Sequence, residues 1–259
     1  KVRPIMESLA AGWPGGRVAL DDPDPPVEDD FIVWGQVWLA EDMIRRALKV
    51  GQRFFQIDNG FWHAAARGQP EGYYRFLDRR PDPVFVRDSA LRAERRPRRI
   101  PMKPWRKTGE HIVLAEPGPD LGKAFGLDFT GWYKATLKKL QTLTDRPILT
   151  RPRHGCSRPL ESDLTGAWAL VTHSSNVAVD AVLQGIPAFV EPTSMTAPLG
   201  NLDLGRIEKP VTPHRDAWMD SLLCQQFSLD EMRSGAAYHF LRAVRRQNDL
   251  DFNGESMLA

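Results

Sequence analysis

The sequence predicts an α/β protein built from two domains. Short apolar runs such as residues 31–34 and 168–171 have the length of buried strands and end at glycine or polar residues. Amphipathic stretches such as residues 41–49 and 130–143 lie between the runs and have the spacing of helices. Because residues 92–107 separate two strand–helix series, we expect one domain on each side of that segment.

Composition places the chain among ordinary globular proteins. Its 259 residues are 42% hydrophobic and 26% charged, and the formal net charge is +2. No apolar run approaches membrane-spanning length and no signal peptide is evident, so we expect a cytoplasmic protein without membrane association. Cys156 and Cys224 are too few for a disulfide framework or a zinc site and suit a reducing compartment.

The first predicted domain covers residues 1–107 and alternates strands with helices, which indicates a Rossmann-like half. Its predicted elements are a helix at 6–11, strands at 17–20 and 31–34, a helix at 41–49, and strands at 54–57 and 73–77. The loop at 21–30 contains Asp22 and Asp24, spaced as in a D-x-D metal motif. Its dense prolines favour a surface loop, so we assign no metal site there.

The second predicted domain covers residues 108–227 and repeats the alternation. Its predicted elements are strands at 111–115, 147–150, 168–171 and 186–190, with helices at 130–143 and 177–183. A last segment, residues 228–259, contains a predicted helix at 230–247. That helix opens with the capping box formed by Ser228 and Glu231.

Residues 168–192 form the unit that carries most of the functional information. The strand at 168–171 runs into a polar stretch at 172–176 (THSSN), whose residue types cap helices, and Gly185 ends the helix that follows. Such a helix starts at the carboxyl edge of a parallel sheet, where its free N–H groups suit a phosphate. Capping alone also explains these residues.

The spacing Ser175-x4-Asp180-x4-Gly185-x-Pro187, ending in a strand, resembles the donor-binding unit of GT-B glycosyltransferases. The resemblance implies two Rossmann-like domains that face a central cleft, with a carboxyl-terminal helix that crosses back to the first domain. It also implies that Ser174 and Ser175 hold the diphosphate of a nucleotide sugar, with a UDP-sugar expected. Asp180 would bind the ribose, where many members have Glu.

A hexosyltransferase of this kind needs charge stabilisation on the leaving diphosphate, which GT-B enzymes supply without a metal. Further residues that we expect at the donor are His173, Asn176, Arg153, His154 and Lys107. The acceptor hydroxyl needs a base on the first domain. Asp58 fits this role best because it directly follows the strand at 54–57, and His63 is the next candidate.

Residues 92–107 differ from the rest of the chain in charge. They contain eight lysines and arginines and one glutamate, a net charge of +7, which suits a polyanion but can also belong to a plain linker. The pattern is similar to phage-type glycosyltransferases that modify 5-hydroxymethylpyrimidines, such as 5-hydroxymethylcytosine, in DNA. That would place the protein in the cytoplasm of a bacteriophage host. The residues expected to contact DNA are Arg95, Arg96, Arg98, Arg99 and Arg106.

Three alternatives stay open at this stage. The acceptor could be a cell-surface saccharide or a lipid-linked glycan instead of DNA. A nucleotide-sugar 2-epimerase shares the GT-B architecture and needs no polyanion groove. A non-catalytic nucleic-acid binder could keep the same fold.

Overall fold

The computed structural model describes residues 2–16, 18, 31–35, 39–61, 72–79 and 101–255. The chain divides into two compact units. Unit 1 comprises Lys1–Arg98 together with Met219–Ala259, and unit 2 comprises Arg99–Trp218. Within the described residues, no helix has both the length and the apolar character needed to cross a membrane.

The first seven strands fall where the apolar runs predicted them, with small shifts at their ends, and the eighth was not predicted. In chain order they are β1 (Ile32–Trp34), β2 (Phe54–Asn59), β3 (Tyr74–Arg79), β4 (His111–Ala115), β5 (Ile148–Arg151), β6 (Ala167–Val171), β7 (Ala188–Phe189) and β8 (Gln226–Phe227). The seventh strand is shorter than the predicted run at 186–190. The predicted strand at 17–20 falls almost wholly outside the described residues.

The helices occupy the amphipathic stretches and several shorter connections. In chain order they are α1 (Val2–Ala11), α2 (Leu39–Lys49), α3 (Pro119–Phe125), α4 (Phe129–Leu143), α5 (Leu160–Leu164), α6 (Val177–Leu183), α7 (Asp216–Cys224), α8 (Leu229–Arg233) and α9 (Ala236–Glu255). The capping box of Ser228 and Glu231 is confirmed at the start of α8. The single helix predicted at 230–247 is divided in two, because Gly235 adopts a φ of 83° between α8 and α9.

The sheet of unit 1 has the order β1-β2-β3-β8. Strands β1 and β2 are parallel, whereas β2–β3 and β3–β8 are antiparallel. This differs from the parallel sheet of a Rossmann-like half. The antiparallel register sets Asp58 of β2 opposite Arg75 of β3, and an ion pair of 2.9 Å between them favours this pairing.

The core of unit 1 combines residues from both ends of the chain. The buried cluster includes Ile5 of α1, Phe55 of β2, Phe76 of β3, Phe227 of β8 and Phe240 of α9. Phe76 and Phe227 meet edge to face with their ring centroids 5.2 Å apart. The carboxyl-terminal residues are therefore part of the same hydrophobic core as the amino-terminal strands.

The sheet of unit 2 is wholly parallel in its described strands and has the order β5-β4-β6-β7. The central strands β4 and β6 are buried along nearly their whole length, as expected for strands covered on both faces. The chain passes from β4 outward to β5 and then returns to the other side of β4 as β6. The carboxyl ends of β4 and β6 consequently flank the point where the strand order reverses.

Residues 101–107, the described part of the basic segment, dock on the end of α6. The N–H of Lys103 donates to the carbonyl of Leu183, and the N–H of Arg106 donates to the carbonyl of Gly185. A Cβ atom at Gly185 would lie 2.0 Å from the carbonyl oxygen of Pro104, and Gly185 also has a φ of 77°. Only glycine allows this approach.

The buried guanidinium of Arg215 locks that docking in place. It donates to the carbonyl of Val182, near the end of α6, and, at 2.6 Å, to the carbonyl of Lys103. Its carbon Cζ lies 4.1 Å from the ring centroid of Trp105, and the indole N–H of Trp105 donates to the carbonyl of Pro213 at 2.8 Å. The segments before β4 and before α7 are thereby held together.

We expect Arg215→Ala to lower the free energy of unfolding by about 2–4 kcal/mol, because it leaves two carbonyls without their charged donor. Urea denaturation measures the change. Arg206→Ala is the matched control, since Arg206 is exposed and should lose less than about 0.5 kcal/mol. Equal losses in the two variants would contradict the role given to Arg215.

Candidate functional site

Four loops follow the strands of unit 2 at the carboxyl edge of its sheet. Glu116 follows β4, Arg153 and His154 come two and three residues after β5, His173 comes two residues after β6, and Glu191 comes two residues after β7. Open parallel sheets bind ligands at this edge, where the strand order reverses. A binding site in unit 2 is therefore expected at the loops after β4 and β6.

The loop after β6 contains the residues predicted to bind a phosphate. His173 Nδ1 lies 3.2 Å from Ser174 Oγ, and the N–H of Ala178 donates to the carbonyl of Ser175. Asn176 is the last residue before α6 and makes no side-chain cap, so the predicted capping by its side chain is not observed. Ser174, Ser175 and Asn176 are all partly exposed at this turn.

Aromatic side chains of α4 enclose His173. The Phe129 ring centroid is 4.6 Å from that of His173. The Trp132 ring centroid is 5.3 Å from that of His173, and the two ring planes are inclined at 74°. The indole N–H of Trp132 donates to Glu191 Oε1 at 2.7 Å. Burial lowers the pKa of the His173 imidazole, although the nearby Glu191 carboxylate opposes this.

Asp180 lies one turn into α6 and is partly buried. Its carboxylate makes no hydrogen bond or ion pair within the part of the chain that the structure describes. Burial raises the pKa of Asp180 to about 6, and the Glu161 carboxylate adds to this rise. Perturbed carboxyl groups of this kind concentrate at functional sites.

The loop after β5 approaches the loop after β4. The N–H of Arg153 donates to Glu116 Oε2 at 2.9 Å, and the Nε of Arg153 lies 3.7 Å from the position that a Cβ of Gly118 would occupy. The side chains of Arg153 and His154 are exposed. Burial raises the pKa of Tyr133, and the Glu116 carboxylate raises it further, so Glu116 also acts on α4.

Ion pairs to a buried carboxylate fix the rest of that loop. Asp163 is 1% exposed and accepts hydrogen bonds from Arg151 and, at 2.8 Å, from Arg158. Burial alone would raise the pKa of Asp163, but the two arginines outweigh it and hold the pKa below its usual range. Arg158 is exposed but paired with Asp163, and Arg151 is paired with it as well, so Arg153 and His154 are the exposed basic residues of the loop that are not held by that carboxylate.

Two hydroxyls near the same edge are buried without a partner among the described residues. They are Thr172 Oγ1, in the loop after β6, and Thr193 Oγ1, in the loop after β7. Buried polar atoms are usually hydrogen-bonded, so a bound ligand or an ordered water is expected to supply these bonds. Both atoms lie within three residues of His173 or Glu191 in sequence.

Two of the predicted cations lie at the opposite edge of the sheet. Arg106 donates to the carbonyls of Leu164 at 2.8 Å and Ala167 at 3.2 Å, where β6 begins. Lys107 follows Arg106 and precedes β4, and its side chain is exposed. The structure therefore does not bring Lys107 together with Ser174, and the Arg106 guanidinium is engaged with the backbone rather than free for DNA.

Asp58, the predicted base, lies in unit 1 at the end of β2. One carboxylate oxygen accepts from Arg75 at 2.9 Å and the other accepts from the N–H of Asn59 at 2.7 Å. Arg75 in turn lies 4.8 Å from the ring centroid of Phe61. The ion pair gives Asp58 a structural role, and its assignment as the base stays a prediction.

Several predicted residues lie outside the described residues, so their assignments also stay predictions. They are His63, Asp22, Asp24, Arg95, Arg96, Arg98 and Arg99. Among the described residues, no group of three or more His, Cys, Asp or Glu side chains could hold a metal ion.

Sequence reasoning missed Glu191, Glu116 and the aromatic pair Phe129 and Trp132. Asp58 was chosen because a residue that follows a buried strand lies at the carboxyl edge of the sheet. The same reasoning applies to Glu116 and Glu191. The aromatic residues had no such signal, because only the packing of α4 on the sheet brings them to His173.

We expect Asp180→Asn to stabilise the protein above pH 6 by on the order of 1 kcal/mol, because the amide removes the cost of a partly buried charge. The folded-state pKa of about 6 lies above the ordinary value of 3.8, so the native state loses stability as the pH rises between these values. The difference between variant and wild type should vanish below about pH 4. Calorimetric melting at several pH values measures it, and a difference that is the same at pH 4 and pH 8 would contradict the assignment.

Comparisons with known proteins assign no family. No protein-family model matches the chain, and no curated protein matches it. Among solved structures, the chain is similar to the β-Kdo 2,4 transferase KpsC of Thermosulfurimonas dismutans, with 13% identity, 75% of this chain and 79% of that chain covered, and a TM-score of 0.42. A likeness at this level assigns neither a family nor a reaction to the chain.

Proposed function

We propose that the carboxyl edge of unit 2 binds a nucleotide sugar, with a UDP-sugar as the expected donor, and that the protein transfers the sugar to a hydroxyl acceptor. The observation that carries the proposal is Asp180, a partly buried carboxylate without a hydrogen-bond partner among the described residues. It lies one turn into the helix that begins beside Ser174 and Ser175.

The chemistry of a ribose suits Asp180. A buried carboxylate costs free energy unless hydrogen bonds satisfy it, and the two adjacent hydroxyls of a ribose can donate two such bonds. Binding would lower the raised pKa of Asp180, since hydrogen bonds to the charged form favour that form. The spacing from Ser175 to Asp180 is also the spacing of GT-B donor units, which adds support from the sequence.

The phosphate of the donor is expected at the loop after β6. The hydroxyls of Ser174 and Ser175 and the imidazole of His173 can donate hydrogen bonds to phosphate oxygens. Arg153 is exposed on the loop after β5, at the same edge of the sheet, and can add a positive charge. Because Phe129 and Trp132 shield His173 from water, a hydrogen bond from it to the phosphate would be stronger than one in bulk solvent.

The reaction needs three events. A bond forms between the acceptor oxygen and the anomeric carbon, the bond from that carbon to the phosphate oxygen breaks, and the acceptor proton passes to a base. Donors at the phosphate stabilise the charge that develops on the leaving group. Asp58 is the proposed base, and its ion pair with Arg75 would have to open or rearrange for it to accept the proton.

A saccharide hydroxyl is the acceptor that we favour over DNA. Residues 101–107 of the basic segment lie at the amino-terminal edge of the unit 2 sheet, and Arg106 there binds two backbone carbonyls. A strand of five residues spans roughly 15 Å, so that edge is distant from Ser174. DNA that carries 5-hydroxymethylpyrimidines is the second acceptor class, and it depends on arginines outside the described residues.

Sugar transfer can be tested directly. The protein is incubated with UDP-, GDP-, dTDP- and CMP-sugars and with either an oligosaccharide acceptor mixture or DNA that carries 5-hydroxymethylcytosine. Mass spectrometry of the glycans and of the digested nucleosides then shows where sugar has been added. We expect a glycan product. A modified nucleoside would establish the DNA acceptor instead. Conversion of the donor to another nucleotide sugar, or to free sugar and nucleotide, without a glycosylated acceptor would indicate an epimerase or a hydrolase.

We expect Ser175→Ala and Asp180→Ala each to weaken nucleotide binding by about 1–2 kcal/mol, the worth of one hydrogen bond to a charged group. Isothermal titration calorimetry with the nucleotide of the active donor measures the loss. Thr142→Ala and Asp145→Ala are matched controls, because both residues are exposed and lie between the last turn of α4 and the start of β5, away from the carboxyl edge of the sheet. Normal affinity in both site variants, with the fold intact, would exclude the donor assignment.

We also expect binding and turnover to survive treatment with EDTA, since the proposed donor contacts come from side-chain and backbone donors. The measurement is the same transfer assay with and without the chelator. Loss of turnover that is restored by Mg²⁺ or Mn²⁺ would contradict this and direct attention to Asp22 and Asp24.

A further inference from the structure

A chain of contacts links Glu191 to His173 at the proposed donor site. Glu191 Oε1 accepts the indole N–H of Trp132 at 2.7 Å, and the Trp132 ring stands edge-on to the His173 ring at 5.3 Å. The backbone N–H of Glu191 also donates to the carbonyl of His173 at 3.0 Å. Glu191 thus fixes His173 both through its own backbone and through an aromatic side chain.

The remaining sides of the imidazole are also occupied. Phe129 lies 4.6 Å away on the α4 side, and Ser174 Oγ lies 3.2 Å from Nδ1. The side chain of His173 is consequently buried, at 8% exposure. Within the described residues Nε2 has no hydrogen-bond partner, so Nε2 is the ring nitrogen left for a ligand.

We propose that Glu191 and Trp132 are positioning residues: both orient the His173 imidazole, and the negative charge of Glu191 keeps the imidazole able to take up a proton and so to bind the donor phosphate as a cation. The part that concerns the phosphate rests on the function proposed above. Neither residue needs to touch the donor, because both act through His173.

The charge of Glu191 is the distinctive part of this arrangement. From α4, the groups that face His173 are the uncharged rings of Phe129 and Trp132, and from its own loop the neighbour is the uncharged Ser174. Among the described residues, Glu191 is the charged group that acts on the imidazole. Burial lowers the pKa of His173 and the Glu191 carboxylate opposes that effect, so removal of the charge should lower the pKa further.

Two variants distinguish the effect of the Glu191 charge from the effect of the orientation of the His173 ring. Glu191→Gln removes the charge but keeps an oxygen that can accept the Trp132 N–H, whereas Trp132→Phe keeps a ring against His173 but removes the N–H. Glu116→Gln is the matched control, since it makes the same charge change at the same edge of the sheet but acts on Tyr133.

The measurement is an NMR titration of ¹⁵N-histidine-labelled protein without nucleotide, in which His173→Gln assigns one of the six histidines. We expect the His173 midpoint to fall by about one pH unit in Glu191→Gln, to change less in Trp132→Phe, and to stay constant in Glu116→Gln. An unchanged midpoint in Glu191→Gln, or an equal fall in Glu116→Gln, would overturn the proposal. A larger fall in Trp132→Phe than in Glu191→Gln would do so as well.

A second measurement connects the titration to the ligand. The affinity for UDP is followed from pH 5 to pH 8, and its decline with rising pH should move to lower pH in Glu191→Gln together with the His173 midpoint. A decline that does not move would overturn the role of Glu191 at the phosphate. If UDP does not bind the wild-type protein at any pH, the UDP donor has failed, whereas the titration still decides whether Glu191 positions His173.

Discussion

The fold of unit 2 depends on a buried cation at the end of α6 opposite to Ser174 and Ser175. The Arg215 guanidinium bonds to the carbonyl of Val182 at the end of α6 and to the carbonyl of Lys103 in the segment that leads into β4. Burial lowers the pKa of Arg215, but an arginine remains charged under such a shift. Two carbonyls and the face of Trp105 replace the water that it loses. The same bonds hold α6 against the segment that precedes β4. The carboxyl end of the helix that carries Asp180 is therefore held in place.

A fixed carboxyl end matters because α6 is short. A seven-residue helix has little stability of its own and keeps its position through packing. Ala178, Val179, Ala181 and Val182 are buried against the sheet, while Asp180 remains at a partly exposed position. The free energy that keeps a poorly solvated carboxylate in place is thus supplied by its apolar neighbours and by the Arg215 bonds. This is how a site can hold a strained electrostatic arrangement without losing the fold.

The sequence predicted most of unit 2 and less of unit 1, for physical reasons. Strands β4 and β6 are buried on both faces, so they appear as short continuous apolar runs that are easy to recognise. In unit 1 the strands β1, β2 and β3 were recognised as well, whereas β8 was not. Strand direction depends on pairing between distant segments, and the antiparallel β2–β3 pair has no local signature. The break at Gly235 was missed because a glycine inside an amphipathic pattern can either continue a helix or end it, and the tertiary contacts decide which occurs.

Some residues of the candidate site could likewise be placed from the sequence, and others could not. Ser174, Ser175 and Asp180 belong to one local unit, so their placement before and on α6 could be predicted from their spacing, whereas their role at a donor stays a proposal. Glu191 and Trp132 lie 18 and 41 residues from His173 along the chain, and only the parallel sheet and the packing of α4 bring them to it. In the basic segment, composition could be read from the sequence but contacts could not. Its net charge could be counted, but the partner of each guanidinium could not, and Arg106 binds the backbone of its own unit.

The constraint on Gly185 comes from packing. The glycine of the G-x-P pattern is required here by the carbonyl of Pro104, which leaves no room for a methyl group. The requirement arises from packing at the edge of the sheet that faces away from Ser174, and it would hold with any ligand or with none. A substitution at position 180 would leave this constraint on Gly185 unchanged, because Asp180 lies within α6 whereas Gly185 lies beyond its carboxyl end. Gly185 therefore reports on how this unit is packed and is independent of what its carboxyl edge binds.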